Sequence, residues 1–364
     1  MSKVDLDREH RGAAPRVHAR GAREAALKVN AAFRGAWWLP GPHLQTVWGQ
    51  FTRPRTLVSF ERELLTAPDG DELVLDHVAG PPGSPRLLLL HGLEGSSYSV
   101  YAQGMMLLAS AAGMRGTVLN FRSCARDPND VTRWLPNERP RLYHSGETTD
   151  FDHVVRELAR REPGTPLVAA GVSLGGNVLL KWLGEHPEQE LVGAAATVSV
   201  PYDLSAGARH LACGIGRLYT RHFLPTLCDK IAGLARRFPE VAARVDLERA
   251  RRARDFHPFD DAATAPLHGF AGAEDYYARS SSLRVLHRIG TPTLCISAED
   301  DPFLPRHVLE QARDAASPSV ELVVTPRGGH CGFVAGRHPR RPGYWAEELV
   351  VRWLATHCAV PDAD

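Results

Sequence analysis

The 364-residue sequence predicts an α/β fold: a mostly parallel central sheet with helices on both faces, interrupted by a helical insertion. Two observations carry this. From residue 63 onward, short β-rich apolar runs alternate with longer helical patterns, the rhythm of βαβ units. Between residues 202 and 290 the rhythm stops, and the chain is rich in Arg and Ala with helical patterns such as 230–237 and 241–254. A helical insertion between consecutive strands of one sheet is most simply a cap or lid over the strands' carboxyl ends, where α/β sheets place their sites.

The elements follow in order. Runs 64–66 and 72–78 flank the turn Pro68-Asp69-Gly70 and read as an antiparallel hairpin. Residues 86–90 form a buried strand ending at His91-Gly92, and 98–112 have helical periodicity. Then come a strand at 116–120, a helix near 148–161, a strand at 166–170, a helix near 176–185 and a strand at 191–200. After the insertion, strands are expected at 292–297 and 320–324, and a last helix near 344–357. The chain divides into an N-terminal arm (1–36) expected to be partly disordered, a first part of the core (37–201), the helical cap (202–290) and a second part of the core (291–358).

Composition bounds the function. With 43% hydrophobic and 23% charged residues the chain can bury a full core. Lys plus Arg is 43 and Asp plus Glu is 42, so no global field gathers nucleic acid or an anionic membrane. Apolar runs such as Leu87 to Leu90 are far short of the roughly 20 residues that span a bilayer. The Arg-rich first 30 residues lack the apolar core of a secretory signal, and the six scattered cysteines include no C-x-x-C pair, so free thiols in the cytoplasm are expected. The oligomeric state is not encoded in any of these features.

The chemistry is carried by Gly171-Val172-Ser173-Leu174-Gly175, which matches G-x-S-x-G directly after one expected strand and before a helix. In that context the serine occupies a strained strand-to-helix turn, the nucleophile elbow of the α/β-hydrolase fold. A serine hydroxyl is a poor nucleophile at neutral pH, so a histidine and an orienting acid are required, in the chain order Ser, acid, His. Asp301 lies just past the strand at 292–297, and His330 just past the strand at 320–324. Asp300 and Asp203 compete for the acid's role; Asp301 is preferred because Pro302 and Pro305 stiffen the loop behind it, and a fixed carboxylate is what the histidine tautomer needs. The backbone amides of Leu93, in the glycine-bearing loop His91-Gly92-Leu93-Glu94-Gly95, and of Leu174 are the expected oxyanion donors.

His91 reads as structural, because His330 is the better-placed base. His43, His144, His257 and His268 have no metal-ligand spacing, so neither a metal nor any other cofactor is expected. Cys331 lacks an elbow and reads as a small buried neighbour of the base. Trp37, Trp38 and Trp48 read as anchors for the N-terminal segment, with lining of an acyl pocket as their alternative role.

At this point the sequence resembles the YheT-like hydrolases, a branch that includes plant and animal abhydrolase-domain proteins. The resemblance rests on Trp38-Leu39-Pro40-Gly41-Pro42-His43-Leu44-Gln45-Thr46, His91-Gly92-Leu93-Glu94-Gly95-Ser96, Asn120-Phe121-Arg122, Tyr143-His144-Ser145-Gly146, Gly176-Asn177, Gly269-Phe270, Asp275-Tyr276-Tyr277, Asp300-Asp301-Pro302-Phe303 and Gly328-Gly329-His330. It implies a Ser173, Asp301, His330 triad and hydrolysis of carboxylic esters, with an acyl ester or lipid as the small-molecule partner. Some eukaryotic relatives are membrane-anchored; no such anchor is expected here. Arg122-Ser123-Cys124 departs from the Arg-Gly-Cys of the resemblance. The rival readings are an acyltransferase using the same residues, and a silent fold used for binding.

Overall fold

The computed structural model describes residues 33–358. Within them, helix α1 (Pro42–Thr52) precedes strands β1 (Glu61–Thr66), β2 (Glu72–Val78) and β3 (Arg86–Leu90). Helix α2 (Val100–Ala111), β4 (Arg115–Asn120) and a small hairpin, β5 (Arg126–Asp127) and β6 (Asp130–Trp134), come next. Helix α3 (Thr149–Arg161), β7 (Leu167–Val172), α4 (Leu174–Glu185) and β8 (Ala194–Val198) complete the first half. A helical stretch includes α5 (Leu204–Leu211), α6 (Gly216–Arg237) and α7 (Ala273–Ser280), followed by β9 (Thr293–Ala298), α8 (Arg306–Ala315) and β10 (Val320–Thr325). A second hairpin, β11 (Val334–His338) and β12 (Arg341–Tyr344), leads into α9 (Trp345–Thr356).

Among the described residues, eight strands form one sheet in the order β1-β2-β4-β3-β7-β8-β9-β10. Pairings β1–β2 and β2–β4 are antiparallel, and the rest are parallel. Strand periodicity sorts the core between the two faces. Leu88 and Leu90 pack on one side with Val154 and Leu158 of α3 and Leu179 of α4. Leu87 and Leu89 pack on the other with Met105 of α2 and Leu349 and Val350 of α9. Strands buried on both faces read as continuous apolar runs, which is why these were visible in the sequence.

Differences from expectation have local causes. The pattern at 230–237 is the end of the 22-residue α6. The pattern at 241–254 is two short helices, Pro239–Arg244 and Leu247–Arg252, because the backbone turns extended at Val245 and Asp246 caps the second by accepting the Arg249 N–H. Helix α1 and both hairpins were not anticipated. The expected N-terminal arm lies outside the described residues except for 33–36, where Gly35 bridges Ala335 and the Ala36 N–H donates to the Val334 carbonyl at 2.9 Å. Among the described residues, no helix is long and apolar enough to cross a membrane.

Candidate active site

The strand β7 delivers Ser173 into a sharp turn and α4 begins at the next residue. Ser173 has φ 52° and ψ −118°, a conformation costing about 1–3 kcal/mol that persists only where packing fixes it. The packing here is very close: a Cβ on Gly175 would lie 2.5 Å from the carbonyl oxygens of both Leu90 and His91. The glycine therefore lets β3 and the elbow approach, and the Ser173 N–H donates to the Val198 carbonyl of β8 at 2.8 Å.

The loops after β9 and β10 bring Asp301 and His330 to this turn. His330 Nε2 lies 2.9 Å from Ser173 Oγ, and its Nδ1 lies 2.9 and 3.1 Å from the two Asp301 oxygens. A carboxylate can only accept, so Nδ1 carries a proton, and in the neutral imidazole Nε2 is then the acceptor that faces the hydroxyl. Burial, the largest single influence, depresses the histidine's pKa, but the Asp301 carboxylate and Cys331 together outweigh it and raise the value. Asp300 does not reach the ring: its Oδ1 accepts the Gly329 N–H at 2.9 Å, and its pKa is raised by burial and by Asp301. Asp203 is the N-cap of α5, accepting the Ala206 N–H.

Leu93 and Leu174 line the same cavity as Ser173 and His330. Gly92 N–H donates to the Tyr101 hydroxyl at 2.7 Å and Glu94 N–H to the Tyr143 hydroxyl at 2.9 Å. The Leu93 amide between them has no hydrogen-bond partner among the described residues. Leu174 is the first residue of α4, where an N–H has no intrahelical acceptor. His91 is fully committed elsewhere: Nδ1–H donates to the Gly92 carbonyl at 2.8 Å and Nε2 accepts the Phe121 N–H at 3.0 Å. Burial pushes its pKa down to about 4, so it is a neutral strut.

A cavity of about 140 Å³ opens over Ser173, lined largely by apolar side chains including Leu204, Leu211, Phe256 and Phe303. Its polar lining includes Asp260, whose oxygens accept hydrogen bonds from the Thr264 and Tyr277 hydroxyls at 2.6 and 2.7 Å. Burial raises the Asp260 pKa to about 6. The tryptophans are not part of this lining: Trp38 packs on Trp48, and both Trp37 and Trp38 donate to carbonyls of the β11 hairpin region.

Several contacts that hold the site were not read from the sequence. Thr46 Oγ1 in α1 accepts the His330 N–H at 2.9 Å, and Gln45 makes paired hydrogen bonds to Val334. Phe303 stacks on the His330 ring. Asn177 donates to the Ser145 and Ser280 carbonyls and accepts the Ser282 N–H, stitching α4 to the ends of two distant segments. The motif residues of the resemblance were the signal that could have found them. Cys331 is half-buried, not buried as expected; it sits at φ 60° in the turn after His330 with its N–H donated to Ser199 Oγ. Ser123 has φ 60°, so the departure from glycine there has a backbone cost, offset by hydrogen bonds between its hydroxyl and Asn137.

Residues 85–336 match the family model described as the alpha/beta hydrolase fold. The chain belongs to the α/β hydrolase fold family. It is 37% identical over 320 residues to YheT of Escherichia coli (strain K12), which carries an esterase name, covering 86% of this chain and 90% of that one. It is 32% identical over 308 residues to phospholipase ABHD3 of Bos taurus, covering 82% of this chain and 72% of the relative. The resemblance to YheT-like hydrolases read from the motifs is thereby borne out. The solved structure of 2,6-dihydroxy-pseudo-oxynicotine hydrolase superposes with a TM-score of 0.54 at 17% identity, covering 93% of this chain and 80% of that one, and shares the fold. The protein is a hydrolase of the α/β class.

Proposed function

We propose that this protein hydrolyses carboxylic esters of apolar acyl groups, lipids among them, through an acyl-enzyme on Ser173. The observation that carries the reading is the hydrogen-bonded line from Ser173 Oγ to His330 Nε2 at 2.9 Å and from His330 Nδ1 to Asp301 at 2.9 Å. His330 takes the hydroxyl proton as Ser173 attacks the ester carbonyl, and returns it to the leaving alcohol. Water, deprotonated by the same imidazole, then releases the acid. The amides of Leu93 and Leu174 hold the oxyanion of each tetrahedral intermediate, an interaction that grows only as charge develops on the substrate. Both acid and base are side chains of the protein, so the reaction requires no cofactor.

The helices between β8 and β9 act as a cap, and their apolar residues over Ser173 provide the acyl site. Relatives named esterase and phospholipase support this substrate class. The cysteines among the described residues are free, which fits a reducing compartment, and we assign the protein to the cytoplasm.

The test is covalent labelling with a fluorophosphonate probe together with turnover of p-nitrophenyl esters of increasing acyl length. The native protein is expected to label and turn over, and Ser173→Ala to do neither. Undiminished labelling of Ser173→Ala would remove Ser173 from its role.

A further inference from the structure

Glu94 lies one residue beyond the Leu93 amide and sits at φ 55°, a left-handed conformation that costs a non-glycine residue about 1–2 kcal/mol. Its side chain is what holds it there. The Tyr143 hydroxyl accepts the Glu94 N–H and donates to Glu94 Oε1 at 2.7 Å, so one phenol grips both the backbone and the side chain. The same Oε1 accepts from Lys230 Nζ at 2.6 Å.

Lys230 belongs to α6, 136 positions away in the inserted helices, and its side chain is only 2% exposed. It donates to Cys124 Sγ at 3.3 Å, and its ammonium lies 5.5 and 5.6 Å from the ring centroids of Tyr143 and Trp134. A lysine is rarely buried without a function for its charge, and a buried ion pair by itself is a poor source of stability. Here the charge is paired with the side chain of the residue that follows Leu93, whose own amide has no hydrogen-bond partner among the described residues, while its neighbours at Gly92 and Glu94 are both tied to tyrosine hydroxyls.

Resting on the assignment of the Leu93 amide to the oxyanion hole, we propose that Lys230 is a positioning residue: it reaches from α6 to Glu94 and fixes the turn that presents the Leu93 N–H. The donor is then in place only while α6 is seated on the body of the protein. Movement of α6 away from the loop withdraws the ammonium, leaves the carboxylate without its cation and lets the left-handed turn relax. Seating of the inserted helices is thus coupled to transition-state stabilisation as well as to enclosure of the acyl chain.

Lys230→Met tests this, with active sites counted by fluorophosphonate titration so that any unfolded fraction is excluded. The expected result is a fall in kcat per titrated site of about 100-fold, the effect of losing one oxyanion donor, with KM within about threefold. Affinity for a trifluoromethyl ketone, which forms a tetrahedral adduct, falls by a similar factor, while affinity for the matching methyl ketone is unchanged. Glu94→Gln keeps an acceptor for Tyr143 but removes the charge; it is expected to lower kcat about 10-fold and carries the test where Lys230→Met does not fold. An unchanged kcat per titrated site in a folded variant overturns the proposal, as does an equal loss of affinity for both ketones. Turnover surviving in Ser173→Ala would instead bring down the proposed acyl-enzyme function, to which the oxyanion assignment belongs.

Discussion

The phenyl ring of Phe303 lies flat on the imidazole of His330, with centroids 3.9 Å apart and planes 4° from parallel. The backbone N–H of the same residue donates to Asp301 Oδ1 at 2.8 Å. One residue therefore covers the imidazole and steadies the carboxylate beside it. The ring excludes water from one face of the histidine, and burial is the largest influence holding its pKa down.

Phe303→Ala keeps the backbone donor and removes only the ring. Water then solvates the imidazolium, the His330 pKa rises further, and the acid limb of the kcat/KM profile moves to higher pH. At pH 7 the loss is about 10-fold, within the range typical of impaired general-base catalysis. A pH–rate profile checks this; a limb that stays in place or moves down contradicts it.

Asp301→Asn removes the charge that raises His330, so the acid limb is expected to move to lower pH. The neutral amide can also donate to Nδ1 and select the wrong tautomer, which is worth about 10⁴-fold in kcat where it has been measured in a serine protease. Asp300→Asn retains an oxygen for the Gly329 N–H and is expected to cost less than 10-fold. Ester hydrolysis by the two variants across pH separates them; a larger loss from Asp300→Asn would reverse the assignment of the acid.

Asp260 supplies a pH effect on stability. Its folded pKa is raised from 3.8 to about 6 by burial, so the folded state holds this proton more tightly than the unfolded chain. The resulting stabilisation is fully present below pH 3.8 and is lost as pH rises through 6. Asp260→Asn removes this dependence. Relative to the variant, the native protein should lose up to about 3 kcal/mol between pH 4 and 7, read from urea midpoints. Parallel stability curves for the two proteins would refute the buried, protonatable carboxyl.

The parts legible in the sequence are those whose signal is local. Leu87 to Leu90 announce a strand because both faces are buried, and Gly171 and Gly175 announce the elbow because a side chain there would collide with backbone. Asp301 was read from the two prolines that follow it. The small hairpins β5–β6 and β11–β12 were not read, because their residues are mostly exposed or half-exposed and lack an apolar alternation. The clamp on Glu94 and the struts on His330 were equally hidden: Lys230 looks like any helical lysine, and Thr46 like any helical threonine, until the fold sets each beside a residue more than a hundred positions away.

Thr46 and His330 are 284 positions apart, yet a hydroxyl on one fixes the backbone of the other. A chain growing from its amino end acquires the serine turn long before the imidazole and its threonine support can meet. Under the proposed chemistry, a nascent chain with β7 and β8 already formed is inert toward esters, and the ability to cleave them arrives only when the opening and closing segments of the fold lock together.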